Sequence, residues 1–239
     1  VIKALEAQGI TPDIIVGTSA GALVGSLYSS GMNGFELQKV ALDIDEGQVS
    51  DWSIPDRGVI KGEALQNFVN RIVGNRVIEK LPRRFAAVAT DLKSGELTIF
   101  TSGNTGAAVR ASSAVPGFFQ PVQINGRDYV DGGLVSPLPI NVARKLGATF
   151  VIAVDISAKP ADGKTRSTTD VMLQTFAIMG QTISHYEQAD ADIVVRPITA
   201  ELPATDFTGR HKAVLEGERA AAAVMPQIKA ALEKRRLGQ

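Results

Sequence analysis

A serine flanked at two residues' distance by glycines, Gly17-Thr18-Ser19-Ala20-Gly21, lies between an apolar run and a helix-forming stretch that opens at Ala22. A nucleophilic serine needs exposure, a base within reach, and donors for the oxyanion that develops as it attacks. A tight strand-to-helix turn supplies the exposure, provided the side chains two residues before and after the serine do not collide. Gly17 and Gly21 remove those side chains, and Thr18 and Ala20 are small. At the start of the helix the dipole favours negative charge, and the Ala20 backbone N–H can face the oxyanion. Two bland readings compete: a glycine-rich turn with Ser19 as a helix N-cap, and a phosphate cradle. The cradle fails because no Gly-Lys-Ser/Thr ending follows and the glycines miss the dinucleotide fingerprint.

Three residues are candidates for the base. His185 lies well inside a helical pattern, where a packing or helix-face role is expected. His211 follows the last strand and a long connection, as a triad histidine does, but Gly209-Arg210-His211-Lys212 reads as a solvated helix start. Asp131 ends a strand on Gly132-Gly133, where an α/β sheet places its active site. An isolated aspartate near pKa 3.9 is a poor base for a hydroxyl, and burial beside an apolar substrate would raise it. The competing role for Asp131 is to cap an Asx-type turn.

The elements that must carry these residues can be read from periodicity. Val1, Ile2, Ala4 and Leu5 recur at helical spacing up to Gly9, with no cap ahead of them. Residues 12–16 form a buried strand, 22–28 a helix, 35–44 and 61–73 further helices, and 46–62 a long surface loop. A strand over 85–91 turns through Ser94-Gly95 into 97–100, and a short helix spans 105–113. Asn125-Gly126 joins 122–124 to 127–130 as a hairpin. A helix over 139–146, strands over 150–154 and 193–195, and helices over 169–189 and 209–236 complete the chain. Strands alternate with helices, so the expected fold is α/β with a mainly parallel central sheet flanked by helices, in one domain over 1–239.

Composition narrows the function classes. Lys plus Arg and Asp plus Glu both number 25, which gives no electrostatic case for a nucleic-acid partner. The absence of cysteine excludes disulfides, thiolate zinc sites, iron–sulfur clusters and a cysteine nucleophile, and fits a reducing compartment. No apolar run reaches the roughly 18 residues of a membrane span. The opening residues lack the basic stretch and apolar core of a signal peptide, so a cytoplasmic location is expected, with peripheral contact at a membrane as an option.

Three ordered blocks together resemble the patatin-like phospholipases: Gly-Thr-Ser-Ala-Gly-Ala at 17–22, Ala-Ser-Ser-Ala-Val-Pro-Gly-Phe-Phe-Gln-Pro-Val at 111–122, and Asp131-Gly132-Gly133. Val88-Ala89-Thr90-Asp91-Leu92 before its Ser-Gly hairpin is similar to the bacterial branch. The resemblance is clear from Val1 to about Val154 and looser beyond. It implies a three-layer architecture and a serine lipid acyl hydrolase, of phospholipase A or esterase type, working through an acyl-enzyme. Ser19 would be the nucleophile and Asp131 its base, in a dyad that needs no histidine, metal or organic cofactor. It also implies a first strand and a glycine-rich loop ahead of the first helix, carrying most oxyanion donors. Residues 1–239 lack both, leaving Ala20 as the one donor in hand.

Two alternatives remain: a non-catalytic lipid- or protein-binding module on the same fold, and a triad esterase using His211. Trp52, Ile54, Phe118 and Phe119 are candidates for an acyl-binding mouth or a lipid contact, against a bland role as core and loop anchors. Lys229, Lys234, Arg235 and Arg236 are candidates for acidic headgroups, against a solvated helix end. Asp91 and Asp155 end strands without an evident role, and no paired spacing supports a metal.

Overall fold

The computed structural model describes residues 1–45, 47, 49, 51, 58, 60–157, 165–198 and 209–237. Among them lie eight α-helices and seven strands. The strands are β1 (Ile14–Thr18), β2 (Arg84–Asp91), β3 (Leu97–Phe100), β4 (Val122–Ile124), β5 (Arg127–Asp131), β6 (Ile152–Val154) and β7 (Ile193–Val195). The helices are α1 (Ile2–Glu6), α2 (Ala20–Ser29), α3 (Gly34–Asp43), α4 (Glu63–Ile72), α5 (Thr105–Ser112), α6 (Ile140–Lys145), α7 (Thr168–Glu187) and α8 (Arg210–Leu237).

β2 organises the main sheet. Every residue from Phe85 to Asp91 is buried. Successive side chains of a strand point to opposite faces, so both faces of β2 are covered, as a three-layer α/β fold requires. On one face Phe85 and Ala87 pack with Leu27 of α2, Phe68 and Val69 of α4, and Val109 of α5. β2 is also paired along both edges. β3 runs antiparallel beside Ala87–Thr90, while β1 and β5 share the opposite edge.

The layered α/β architecture is as expected, but the sheet is mixed rather than mainly parallel. β1–β2 and β6–β7 are parallel; β2–β3, β2–β5 and β4–β5 are antiparallel. Connection length explains two of the three antiparallel pairs, β2–β3 and β4–β5. A parallel pair needs a crossover of a dozen or more residues, whereas residues 92–96 and Asn125-Gly126 are hairpin loops. Asn125 and Gly126 both take positive φ, 51° and 77°, the mirror-image turn that suits strand twist.

β6 and β7 form a separate two-stranded sheet, covered by α8. Among the described residues β1 pairs only with β2, and β6 only with β7. A cavity of about 1440 Å³ is lined by every residue of both β1 and β6. Ser19 and Asp131 open onto it.

Candidate active site

The register on β2 brings the site together. Thr18, the last residue of β1, pairs with Val88, and Asp131, the last of β5, pairs with Ala89. β1 runs parallel to β2 and β5 antiparallel, so the two strands run head to head along one edge and both chains leave the sheet at the same point. Residues 113 positions apart in sequence thereby become neighbours across the junction of Val88 and Ala89.

That junction is very tight. A Cβ on Gly132 would lie 2.2 Å from the Val88 carbonyl oxygen and 3.1 Å from Thr18 Cγ2. Gly132 is therefore required by close approach rather than by a positive φ. A Cβ on Gly17 would lie 2.2 Å from the Gly21 carbonyl oxygen, so the turn closes only over a glycine at 17. Gly21 departs from the sequence reading: a Cβ there meets nothing within 4 Å, because it would project into the cavity. The one-sided crowding comes from the helix backbone pressing on the end of β1.

Ser19 carries the strain of the turn, with φ 54° and ψ −119°. Such backbone in a non-glycine residue costs on the order of 1–3 kcal/mol and persists only where its surroundings hold it. Ser112 provides part of that hold. The Ser19 N–H donates to Ser112 Oγ at 2.9 Å, and the Ser112 hydroxyl donates to the Val88 carbonyl at 2.5 Å. Ser19 occupies the N-cap position of α2, yet its side chain makes no capping bond. The capping explanation for this serine is thus not realised. The Ser19 hydroxyl instead lies close enough to the Asp131 carboxylate to favour its ionised form.

Asp131 is 7% exposed. Burial pushes its carboxyl up to about 6; the hydrogen bond from the Gly133 N–H and the nearby Ser19 hydroxyl pull the other way. The Gly133 N–H donates to Asp131 Oδ1 at 2.7 Å, so the aspartate caps its own turn while facing the serine. Its backbone is held too: the Thr90 hydroxyl donates to the Asp131 carbonyl at 2.8 Å, and the Asp131 N–H to the Ala114 carbonyl at 3.0 Å. Ala20 opens α2, so its N–H is among the four that a helix leaves without an intrahelical partner.

The other candidates fall elsewhere. His185 is exposed on α7 and packs edge-on against Tyr186, with ring centroids 5.8 Å apart. His211 is exposed on the first turn of α8. Neither lines the cavity that holds Ser19 and Asp131. Trp52 and Ile54 lie outside the described residues. Phe119 lines the cavity, bridges to Ile60 and packs against a core cluster that includes Ala111 and Val122. Phe118 is half-buried, and its carbonyl accepts the Ile60 N–H at 2.8 Å. Lys229 donates to Gln8, and Arg235 pairs with Asp192 while stacking over Phe150, so these two cations serve intramolecular contacts.

The two unassigned aspartates have local structural roles. Asp91 accepts the Lys93 and Ser94 N–H groups within its hairpin turn, which hold its carboxyl below the usual range. Asp155 accepts from the Ser157 N–H and from Gln188 Nε2. Sequence reasoning gave no hydrogen-bonding role to Thr18, Thr90 and Ser112, although each stands in one of its motif blocks, and overlooked Ser136 and Glu187. Those roles are not local, because the partners of Thr18, Thr90, Ser136 and Glu187 lie between 41 and 118 residues away.

Comparison with known proteins places the chain in a family. The family model for patatin-like phospholipase matches residues 1–144, which hold both Ser19 and Asp131. An uncharacterised NTE family protein of Mycobacterium tuberculosis (strain ATCC 25618 / H37Rv) is 36% identical over 164 residues, covering 67% of this chain and 45% of that protein. Patatin-like phospholipase domain-containing protein 7 of Mus musculus is 30% identical over 167 residues, covering 66% of this chain and 12% of its own length. The chain thus spans less than half the length of these relatives. With its family model matched over more than half of its residues, the chain belongs to the patatin-like phospholipase family.

Proposed function

We propose that this chain is the catalytic unit of a lipid acyl hydrolase, of phospholipase A or esterase type, working with a Ser19–Asp131 dyad. Ser19 Oγ attacks the ester carbonyl and its proton passes to the Asp131 carboxylate. The protonated Asp131 then delivers that proton to the leaving alcohol or lysolipid, and an acyl-enzyme remains. Water attacks the acyl-enzyme, Asp131 takes the water's proton and returns it to Ser19, and the fatty acid departs. The observation that carries this reading is the juxtaposition of the strained Ser19 and the buried Asp131 at the mouth of one cavity. A base tuned to about 6 is deprotonated at neutral pH yet closer to the working range than a free aspartate. The apolar walls that Val115, Phe119 and Leu138 give the cavity suit an acyl chain.

The oxyanion hole needs more than the Ala20 N–H. We propose that residues 1–239 act as one unit, completed by a strand and a glycine-rich loop that lie outside them. Support comes from the cavity. It is larger than the roughly 300–1,000 Å³ of ordinary ligand pockets. Two strands that each have a single partner among the described residues, β1 and β6, both line it. A strand between them would join the two sheets and deliver the loop that follows it near Ser19. Each oxyanion donor gained is worth about 2.7–4 kcal/mol of barrier. A protein carrying such a segment should therefore exceed one starting at Val1 in kcat/KM by at least about a hundredfold.

Stoichiometric fluorophosphonate labelling, mapped by peptide mass, tests the nucleophile in the protein that carries the segment. Labelling at Ser19, and loss of p-nitrophenyl ester hydrolysis in a folded Ser19→Ala variant, are the expected results. Near-wild-type kcat in Ser19→Ala would sink the enzyme reading and leave a lipid-binding module on the same fold. No helix among the described residues is long and apolar enough to cross a membrane.

A further inference from the structure

We propose that Glu187, the last residue of α7, is a positioning residue for the Ser19–Asp131 pair, an inference that rests on the dyad reading above. Glu187 lies 56 residues from Asp131 in sequence and touches neither dyad member directly. Its carboxylate takes two donors from the segment that leaves Asp131. The Ser136 hydroxyl donates to Oε1, and the Leu138 N–H donates to Oε2 at 2.8 Å. Ser136 in turn receives, on its carbonyl oxygen, the Thr18 hydroxyl at 2.8 Å. Thr18 is the residue immediately before the nucleophile.

One carboxylate therefore tethers the segment after the base, and that segment tethers the residue before the nucleophile. Ser136 and Thr18 are both buried, so these bonds form out of water, where geometry is held more stiffly. The segment itself is a short 3₁₀ turn over Gly132–Leu134, closed by the Ser136 N–H on the Gly132 carbonyl at 2.8 Å. A turn of this length has little rigidity of its own. Its contact with the end of α7 supplies the second anchor, opposite the one that Val88 and Ala89 provide. Burial pushes the Glu187 carboxyl above the usual range, while the bonds from Ser136 and Leu138 favour its ionised form.

The test compares Glu187→Ala, Glu187→Gln and Thr18→Val with the wild type. Three measurements are made: kcat and KM on a short p-nitrophenyl ester, the rate of fluorophosphonate labelling at Ser19, and Tm. Misplacement of a reacting group by about 1 Å costs up to a hundredfold in rate. Glu187→Ala should therefore lower kcat and the labelling rate together by about ten- to a hundredfold, with KM changed less than about twofold. Glu187→Gln should recover most of the rate, because its amide keeps an acceptor for the Leu138 N–H and a partner for the Ser136 hydroxyl. The double variant Thr18→Val/Glu187→Ala should lose little more than the worse single variant, since both act through Ser136.

An unchanged labelling rate in folded Glu187→Ala, or fully additive losses in the double variant, would overturn the proposal. If Glu187→Ala does not fold, Ser136→Ala reads the same link by removing only the hydroxyl, and full activity in it is the overturning result. Absence of wild-type labelling at Ser19 would instead count against the dyad itself.

Discussion

β2 and β6 are both parallel-paired strands under helices, yet they differ in how completely their neighbours define them. β2 has eight residues, seven of them buried, and partners along both edges. β6 has three, only Ala153 is buried, and its one partner among the described residues is β7. Ser19 and Asp131 stand where the sheet is most over-determined. The strained backbone of Ser19 is affordable there, because Ser112, Val88 and the pairing of Thr18 leave it no alternative. The open cavity lies on the side where definition runs out, between β1 and β6. A well-defined wall carrying Ser19 and Asp131 thus faces a less-defined wall across the cavity.

The sharpest way to break this contrast is at the well-defined wall. Asp131→Asn keeps the acceptor for Gly133 and nearly the same volume but removes the basic carboxylate. It should lower kcat by about 10²–10⁴-fold. Wild-type kcat/KM should fall on the acid side as pH drops through about 6, where Asp131 takes up a proton. Stability follows with a definite sign. The folded carboxyl titrates near 6 and the unfolded one near 3.9, so the folded state binds more protons between them. Wild-type stability then declines as pH rises from about 4 to about 6 and stays at that lower level above. Asp131→Asn lacks this decline. Its Tm at pH 8 should equal or exceed that of the wild type, with the advantage gone at pH 4, as scanning calorimetry can check. A lower Tm at pH 8 would mean that the charge contributes to the fold.

The two glycines around Ser19 separate the crowded side of the turn from the open one. Gly17→Ala forces a methyl group to 2.2 Å from the Gly21 oxygen and should destabilise by about 3 kcal/mol or more, or prevent folding. Gly21→Ala adds a methyl group toward the cavity and should change stability by about 1 kcal/mol or less, with a sign set by helix propensity. Urea denaturation measures both, and equal losses would refute the asymmetry.

Hydrogen exchange compares the two strands directly. The Ala89 amide in β2 should exchange at least about a hundredfold more slowly than that of Ala153 in β6 when the protein starts at Val1. Addition of a segment that fills the cavity should narrow the gap by slowing β6. The smallest effect belongs to the histidines. The double variant His185→Gln/His211→Gln should keep kcat within about twofold, whereas loss of a triad histidine costs about 10⁶. An inactive but folded double variant would restore His211 as the base.

The amino-acid sequence by itself determined the local chemistry. Gly17-Thr18-Ser19 marks a turn that only small residues can make, Asn125-Gly126 forces a hairpin through two positive φ angles, and Asp131-Gly132-Gly133 ends a strand in an acid. Each of these is legible because it depends on neighbours within a few residues. The same locality misled the reading of Gly21, whose spacing matches the motif although its surroundings are open. It also left the sheet looking mainly parallel, since periodicity records burial and not the direction of a partner. Tertiary structure alone decided that β1 and β5 run head to head along one edge of β2, which is what sets Ser19 beside Asp131. It alone enlisted Ser112 under the Ser19 amide and Glu187 behind Ser136, and left β1 and β6 facing a common cavity. Register, edge pairing and buried hydrogen bonds between distant segments are settled by packing the whole chain at once, and no window of sequence contains both partners.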